Sequence, residues 1–205
     1  MLQRTPLSED LHPLIHDLIR DEGPHIISPQ LIDKIISVAD IVQINNGQPL
    51  IESGSVNPDF FILLEGILRR WYWNDDREIT EAFALPGTHI LDYNSYLRKK
   101  GCFYTIEACC PSLLLHLTRH QYDRLLKESH EFEHWRLMMA YNALWVNDYK
   151  KTVFQGDAKS RYLALLDKRP EILKNVPLKI IASYLGISPN YLSNVRNEIR
   201  KDELG

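Results

Sequence analysis

Residues 178–196 read Leu-Lys-Ile-Ile-Ala-Ser-Tyr-Leu-Gly-Ile-Ser-Pro-Asn-Tyr-Leu-Ser-Asn-Val-Arg, and this stretch leaves the backbone few options. Ile181, Leu185, Ile187, Leu192 and Val195 are apolar at the spacing that closes a small core between two short helices. Ala182 is small where such helices would approach, and Gly186 can take the left-handed conformation that a tight turn requires. Ser188 is a good N-cap, and Pro189 suits the first position of the helix that follows. The pattern predicts a helix-turn-helix, with helices over about 177–185 and 189–200.

The outer face of the second helix is polar. It carries Ser188, Asn190, Tyr191, Ser193, Asn194 and Asn197, with Arg196 and Arg200 further along. Asn pairs with adenine edges and Arg with guanine or phosphate, so these are the groups a helix in the DNA major groove needs. Its N-terminus suits a phosphate, and Lys174 and Lys179 add backbone charge. A helical hairpin that serves packing alone is the competing reading, and the complete apolar pattern favours DNA.

The rest of the chain is organised differently. Residues 7–39 have helical spacing, interrupted at Gly23-Pro24, with Ser28-Pro29 opening a second helix through Val38. Over 40–118, short β-rich runs (41–44, 49–52, 60–64, 67–73, 79–85, 104–108 and 113–117) alternate with turn residues, which indicates an antiparallel sandwich or barrel. Successive strand side chains alternate faces, so the three cannot all point inward, and at least one of Trp71, Tyr72 and Trp73 is expected to be exposed or to meet a partner. From 119 to 154 a helical period returns with an apolar surface wider than one core-facing stripe needs, including Trp135, Met138, Met139, Leu144 and Trp145. One side of this long helix is expected on its own body and the other on a twin chain. Gln155-Gly156-Asp157 reads as a hinge, and helices over 158–168, 177–185 and 189–200 follow. The expected divisions are 1–118, 119–155 and 156–205.

Charge follows those divisions. The 205 residues hold 24 Lys+Arg and 27 Asp+Glu, a net of −3 that excludes a uniformly basic nucleic-acid binder. Residues 1–155 carry −6, and residues 156–205 carry +3. A modestly basic module on an acidic body suggests that two copies act together on DNA. No apolar run approaches the roughly 20 residues of a membrane span, and residues 1–6 lack a secretory apolar core. Cys102, Cys109 and Cys110 are too few and too clustered for a disulfide framework, so a reduced cytoplasm is expected. The run Lys201-Asp202-Glu203-Leu204, followed by Gly205, is read as a chance likeness to a retention signal.

On these residues the chain resembles the Crp–Fnr superfamily of bacterial transcription regulators over nearly its whole length. The likeness rests on the 178–196 motif and on Gly54, Gly66 and Gly87, which sit where the family places its β-roll glycines. Residues 61–66 resemble the family's apolar strand and turn, and residues 162–166 resemble the start of its DNA-binding domain. The resemblance implies an α+β chain: an N-terminal jelly-roll of cyclic-nucleotide-binding-like type, a long dimerisation helix, and a C-terminal helix-turn-helix domain. It implies a homodimer on double-stranded DNA, with RNA polymerase as a further partner and no enzymatic activity. It also places Pro189, Asn190, Ser193 and Asn194 against bases and Arg196 on a phosphate.

The departures from the family matter as much. Nucleotide-binding members use a Gly-Glu pair for the ribose and a downstream Arg for the cyclic phosphate. Here the pair aligns with Leu91-Asp92, and the Arg position falls near Cys102-Phe103, with no Arg between 101 and 118. Arg98, Lys99 and Lys100 precede the expected place. Burying an anion without a paired cation is costly, so the β-roll is expected not to bind cyclic AMP. Leu91, Asp92, Cys102 and Phe103 become the candidate pocket for an effector of unknown chemistry. The iron–sulfur branch's N-terminal cysteine cluster is absent, and the wing after the recognition helix is expected to be missing or very short.

Other constellations carry less. His12/His16, His116/His120 and His130/His134 have four-residue spacing and would each share a helical face. Residues 130–134 formally match His-Glu-x-x-His, but Glu133 is charged where a buried metal helix wants an apolar residue, and no third-ligand motif follows. A cupin-like, small-molecule-binding or metal-dependent enzymatic sandwich with a helical appendage is the alternative. His89 stands alone there and reads as structural. No metal and no cofactor are expected.

Overall fold

The structure, a computed structural model, describes the backbone of residues 3–5, 7–21, 27–153 and 156–204, and the side chains of 7–20, 27–148 and 156–199. The Gly23-Pro24 break, Gln155 and the Arg200 side chain lie outside the described residues. The chain is α+β, with every strand pair antiparallel.

Two helices, α1 (His12–Asp21) and α2 (Pro29–Val38), precede the main β region. Ser28 caps α2 by accepting from Leu31 N–H at 3.2 Å, with Pro29 behind it. The strands are β1 (Gln3–Thr5), β2 (Asp40–Ile44), β3 (Pro49–Ile51), β4 (Phe60–Glu65), β5 (Leu68–Asn74), β6 (Arg77–Ala84), β7 (His89–Leu91), β8 (Thr105–Ala108) and β9 (Ser112–Leu117). They form two sheets, ordered β1-β2-β9-β4-β7 and β3-β8-β5-β6.

The β4 sequence Phe60-Phe61-Ile62-Leu63-Leu64 is continuously apolar because both of its faces are covered. Phe61 and Leu63 point between the sheets, among Val42, Leu68, Ile106 and Leu114. Phe60, Ile62 and Leu64 point the other way, under Ile15, Ile32, Leu125, Phe132 and Trp135 of the helices. Gly66 closes the strand at φ +96°, where an added Cβ would strike Ser112 and the Pro111 carbonyl.

Four elements go beyond the sequence expectation: β1, β7, α3 (Tyr93–Arg98) and α7 (Pro170–Asn175). The 119–154 region is two helices, α4 (Arg119–Glu128) and α5 (His130–Val153), broken at Ser129. A capping box starts α4, with Thr118 accepting from Gln121 N–H and Gln121 from Thr118 N–H. His116 lies on β9, within the expected β run 113–117, and His120 on α4, so this four-residue spacing does not form a helical pair. Helix α6 (Ala158–Lys168) follows, capped by Asp157, and then α8 (Leu178–Tyr184) and α9 (Pro189–Leu204). α9 runs past Arg200 to Leu204.

Candidate nucleic-acid interface

The turn between α8 and α9 is built by Gly186 at φ +67°. Ile187 N–H donates to the Ala182 carbonyl at 3.0 Å and Gly186 N–H to the Ser183 carbonyl at 3.1 Å, the pairing that closes a helix through a left-handed residue. Ile181, Ala182, Leu185, Leu192, Val195 and Ile199 are buried together with Tyr162, Leu165 and Ile172. That burial fixes which side of α9 remains outward. Ser188, Pro189, Asn190, Tyr191, Asn194 and Asn197 are exposed, as is Lys179 on α8, while Ser193 and Arg196 are half-buried. Ser188 Oγ accepts from Tyr191 N–H at 3.2 Å, and Ser193 Oγ donates to the Pro189 carbonyl at 3.0 Å. The nine residues singled out from the sequence therefore lie on one end of α8 and one side of α9.

This helical unit rests on the four-stranded sheet of its own chain, which no sequence pattern signalled. Ile67, Phe83 and Cys109 join its core, and the rings of Phe83 and Tyr184 meet edge-on at 4.9 Å. Ser183 Oγ accepts from Thr80 N–H at 2.9 Å and donates to the Glu78 carbonyl at 2.8 Å. Between the β5–β6 hairpin and the α8–α9 turn lies a cleft of about 620 Å³, lined on one wall by Trp73, Asp76 and Arg77 and on the other by Lys179, Ser188 and Pro189.

Of the expected effector residues, Asp92 and Cys102 meet, while Leu91 and Phe103 turn elsewhere. Asp92 is buried and caps α3, its Oδ1 accepting from Ser95 N–H at 2.7 Å. Burial pushes its carboxyl upward, but hydrogen bonds from Ser95, Tyr104 and Cys102 outweigh it and hold the group below the usual range. Cys102 lies beside it in the sandwich interior, its thiol pushed up to about 11 by burial and by Asp92. Leu91 turns instead to the helix-covered face, and Phe103 is 75% exposed. A cation does reach this neighbourhood from far away in sequence. The Arg70 guanidinium lies over the Tyr104 ring at 4.9 Å and pairs with Glu81 at 2.9 Å.

The α5 residues divide between two sides. Trp135 is buried against Phe132 and His89, and Met139 packs on the same core, so these two of the expected dimer-helix residues lie on the side that meets the chain's own body. The outward side carries Leu137, Tyr141, Leu144 and Trp145, with Leu144 64% and Trp145 63% exposed. Met138 is half-buried. At the root of this helix, Arg136 is buried with its Nη1 2.6 Å from His89 Nδ1, and its Nε donates to Tyr122 Oη at 3.1 Å. Burial first, and Arg136 second, push the His89 imidazole well below its ordinary value.

His16 lies 2.8 Å from Asp33 through its Nε2. His116 Nε2 lies 2.8 Å from Asp59 and its ring stacks on Phe61 at 4.8 Å, whereas His130 stands exposed beside Glu133. Among the described residues no group of three His, Cys, Asp or Glu side chains is placed to hold a metal ion. No helix among them is long and apolar enough to cross a membrane.

The chain shares its fold, a two-sheet β-roll flanked by helices, with solved structures of a cyclic nucleotide-binding domain, a catabolite activator protein and a global regulator. The c-di-GMP-responsive global regulator CLP of Xanthomonas campestris matches with a TM-score of 0.66 at 14% identity, over 86% of this chain and 94% of that one. The Thermus thermophilus catabolite activator protein matches at 0.54 and 19%, over 87% and 86%. A cyclic nucleotide-binding domain from Methylobacillus flagellatus matches at 0.63 and 13%, over 73% and 84%. No family model and no curated protein sequence matches the chain.

Proposed function

We propose that the chain is a homodimeric, sequence-specific DNA-binding transcription regulator of the cytoplasm. Residues 1–118 serve as a cyclic-nucleotide-binding-like sensor, 119–155 carry the dimerisation helix, and 156–205 are the helix-turn-helix domain. The observation that carries this reading is the exposed row Asn190, Asn194 and Asn197 on α9, held outward by the burial of Leu192, Val195 and Ile199. A major-groove helix needs amide and hydroxyl groups on one face and a rigid apolar seat on the other. The likeness in fold to a global regulator and to a catabolite activator protein supports the same reading.

The outward side of α5 supports dimerisation. Leu137, Tyr141, Leu144 and Trp145 recur at four, three and one residues, a continuous apolar seam on a solvent-facing helix. Two copies bring two recognition helices to a two-fold site with half-sites about one DNA turn apart. RNA polymerase is the further partner of such a regulator. The β-roll does not take cyclic AMP, since the Asp92 carboxylate is spent on the α3 cap and Arg70 is paired with Glu81.

Selection from a library of random-sequence duplexes, followed by gel shift of the enriched sequence at rising salt, tests the reading. A two-fold symmetric sequence whose binding weakens with salt is expected. A folded protein with no salt-sensitive binding to any duplex overturns it.

A further inference from the structure

The α8 helix makes a contact that reading DNA does not require. β6 is an edge strand of its sheet, so its outward N–H and C=O groups have no neighbouring strand. Ser183 satisfies one of each, accepting from Thr80 and donating to Glu78. Its hydroxyl thus leaves its own helical unit and ties α8 to the sheet. The hairpin that receives it is braced, because Glu78 also binds Arg69, which in turn binds Glu107. The wall opposite Lys179, Ser188 and Pro189 is the tip of that hairpin, where Asp76 and Arg77 line the cleft and Asp75 is exposed beside them.

We propose that this docked arrangement is an autoinhibited state, in which the β5–β6 hairpin and duplex DNA compete for the N-terminal end of the recognition helix. The proposal rests on the DNA-binding reading above. Three of the nine residues assigned to DNA face the hairpin across the cleft. A phosphate brought to Ser188 and Lys179 must share the cleft with Trp73, Asp76 and Arg77, and the Asp76 carboxylate repels it. The hold consists of two hydrogen bonds, the Phe83–Tyr184 ring contact and a patch of Ile67, Phe83, Leu85, Cys109 and Cys110. Undocking hands the freed Thr80 and Glu78 backbone groups to water, so the state is reversible.

Ser183→Ala and the double change Asp75→Asn with Asp76→Asn test this in the full-length protein, since none of these residues is assigned to DNA. Against the duplex selected from the random library, each variant is expected to bind about three- to tenfold tighter than wild type, as the competent fraction rises. Hydrogen exchange gives a readout without DNA. The Thr80 amide is protected in wild type and exchanges faster in Ser183→Ala, and DNA removes its protection in wild type. Equal binding by wild type and both variants, or Thr80 protection that persists on DNA, overturns the autoinhibition and leaves the regulator reading standing. Binding of no duplex by any of the three proteins overturns both. An unchanged Thr80 amide in Ser183→Ala overturns the latch alone.

Discussion

Arg136 Nη1 lies 2.6 Å from His89 Nδ1, where α5 meets the edge of the five-stranded sheet. The guanidinium is always charged and only donates, so His89 must accept through Nδ1 and stay neutral. Phe60, Trp135 and Tyr122 surround the cation with their rings, the nearest centroid at 4.6 Å. A charge is thereby held at the root of the helix on which dimerisation is proposed to depend, and one neutral histidine fixes its position.

Stability is therefore expected to fall in mild acid. The unfolded chain takes up a proton on His89 near the ordinary value of 6.5, while the folded chain does so only well below it. The His89 contribution is fully present above 6.5 and is lost as the pH falls toward the folded value, by about 1.4 kcal/mol per pH unit. His89→Gln keeps an acceptor for Arg136 and binds no proton. Urea midpoints measured from pH 8 to pH 5 should decline less steeply in the variant, and parallel curves would refute the assignment.

On α5, opposite sides should give opposite phenotypes. Leu144→Asp and Trp145→Asp are expected to convert the protein to a folded monomer, read by sedimentation with unchanged circular dichroism. Trp135→Ala removes a buried ring and is expected to cost about 3–5 kcal/mol of stability. A dimer that survives the double aspartate change would place the interface elsewhere.

On α9, Asn190→Ala and Asn194→Ala should relax sequence preference, each costing about 1–3 kcal/mol on the selected duplex and little on random DNA. Arg196→Ala should weaken binding to every duplex alike and lower the salt slope by about one. Uniform losses for all three would mean that the asparagines do not read bases.

Gly66→Ala should be costly without touching any site. Its positive φ and the approach of Ser112 leave no room for a methyl group, and a loss of about 2–4 kcal/mol in chemical denaturation is expected. A near-neutral result would mean that the β4 turn relaxes freely.

The parts legible in sequence were those set by local chemistry. Gly186, Ser188 and Pro189 announce their turn and cap because each needs one backbone geometry. The two-sided β4 run and the helical period after residue 119 are carried by burial of consecutive side chains. The cap made by Asp92 is not legible, since a carboxylate three residues before Ser95 caps a helix as readily as it lines a pocket, and six-residue α3 is too short to show a period. Ser183 was silent, because its partners are backbone groups of β6, more than a hundred residues away. The outward and inward sides of α5 could not be separated until Phe132 and Trp135 were seen under the sheet.

The β6 edge carries a consequence for solubility. When the helical unit leaves it, Thr80 and Glu78 become bare ladder groups, a template onto which a strand from another molecule can add. Arg77, Glu78 and Glu81 lie along that same strand, and Glu81 is the extra residue where its register with β5 shifts between Arg70 and Trp71. Charges and a bulge on an exposed edge are how β proteins discourage such addition. The hairpin thus guards its own edge against aggregation while the helices are away.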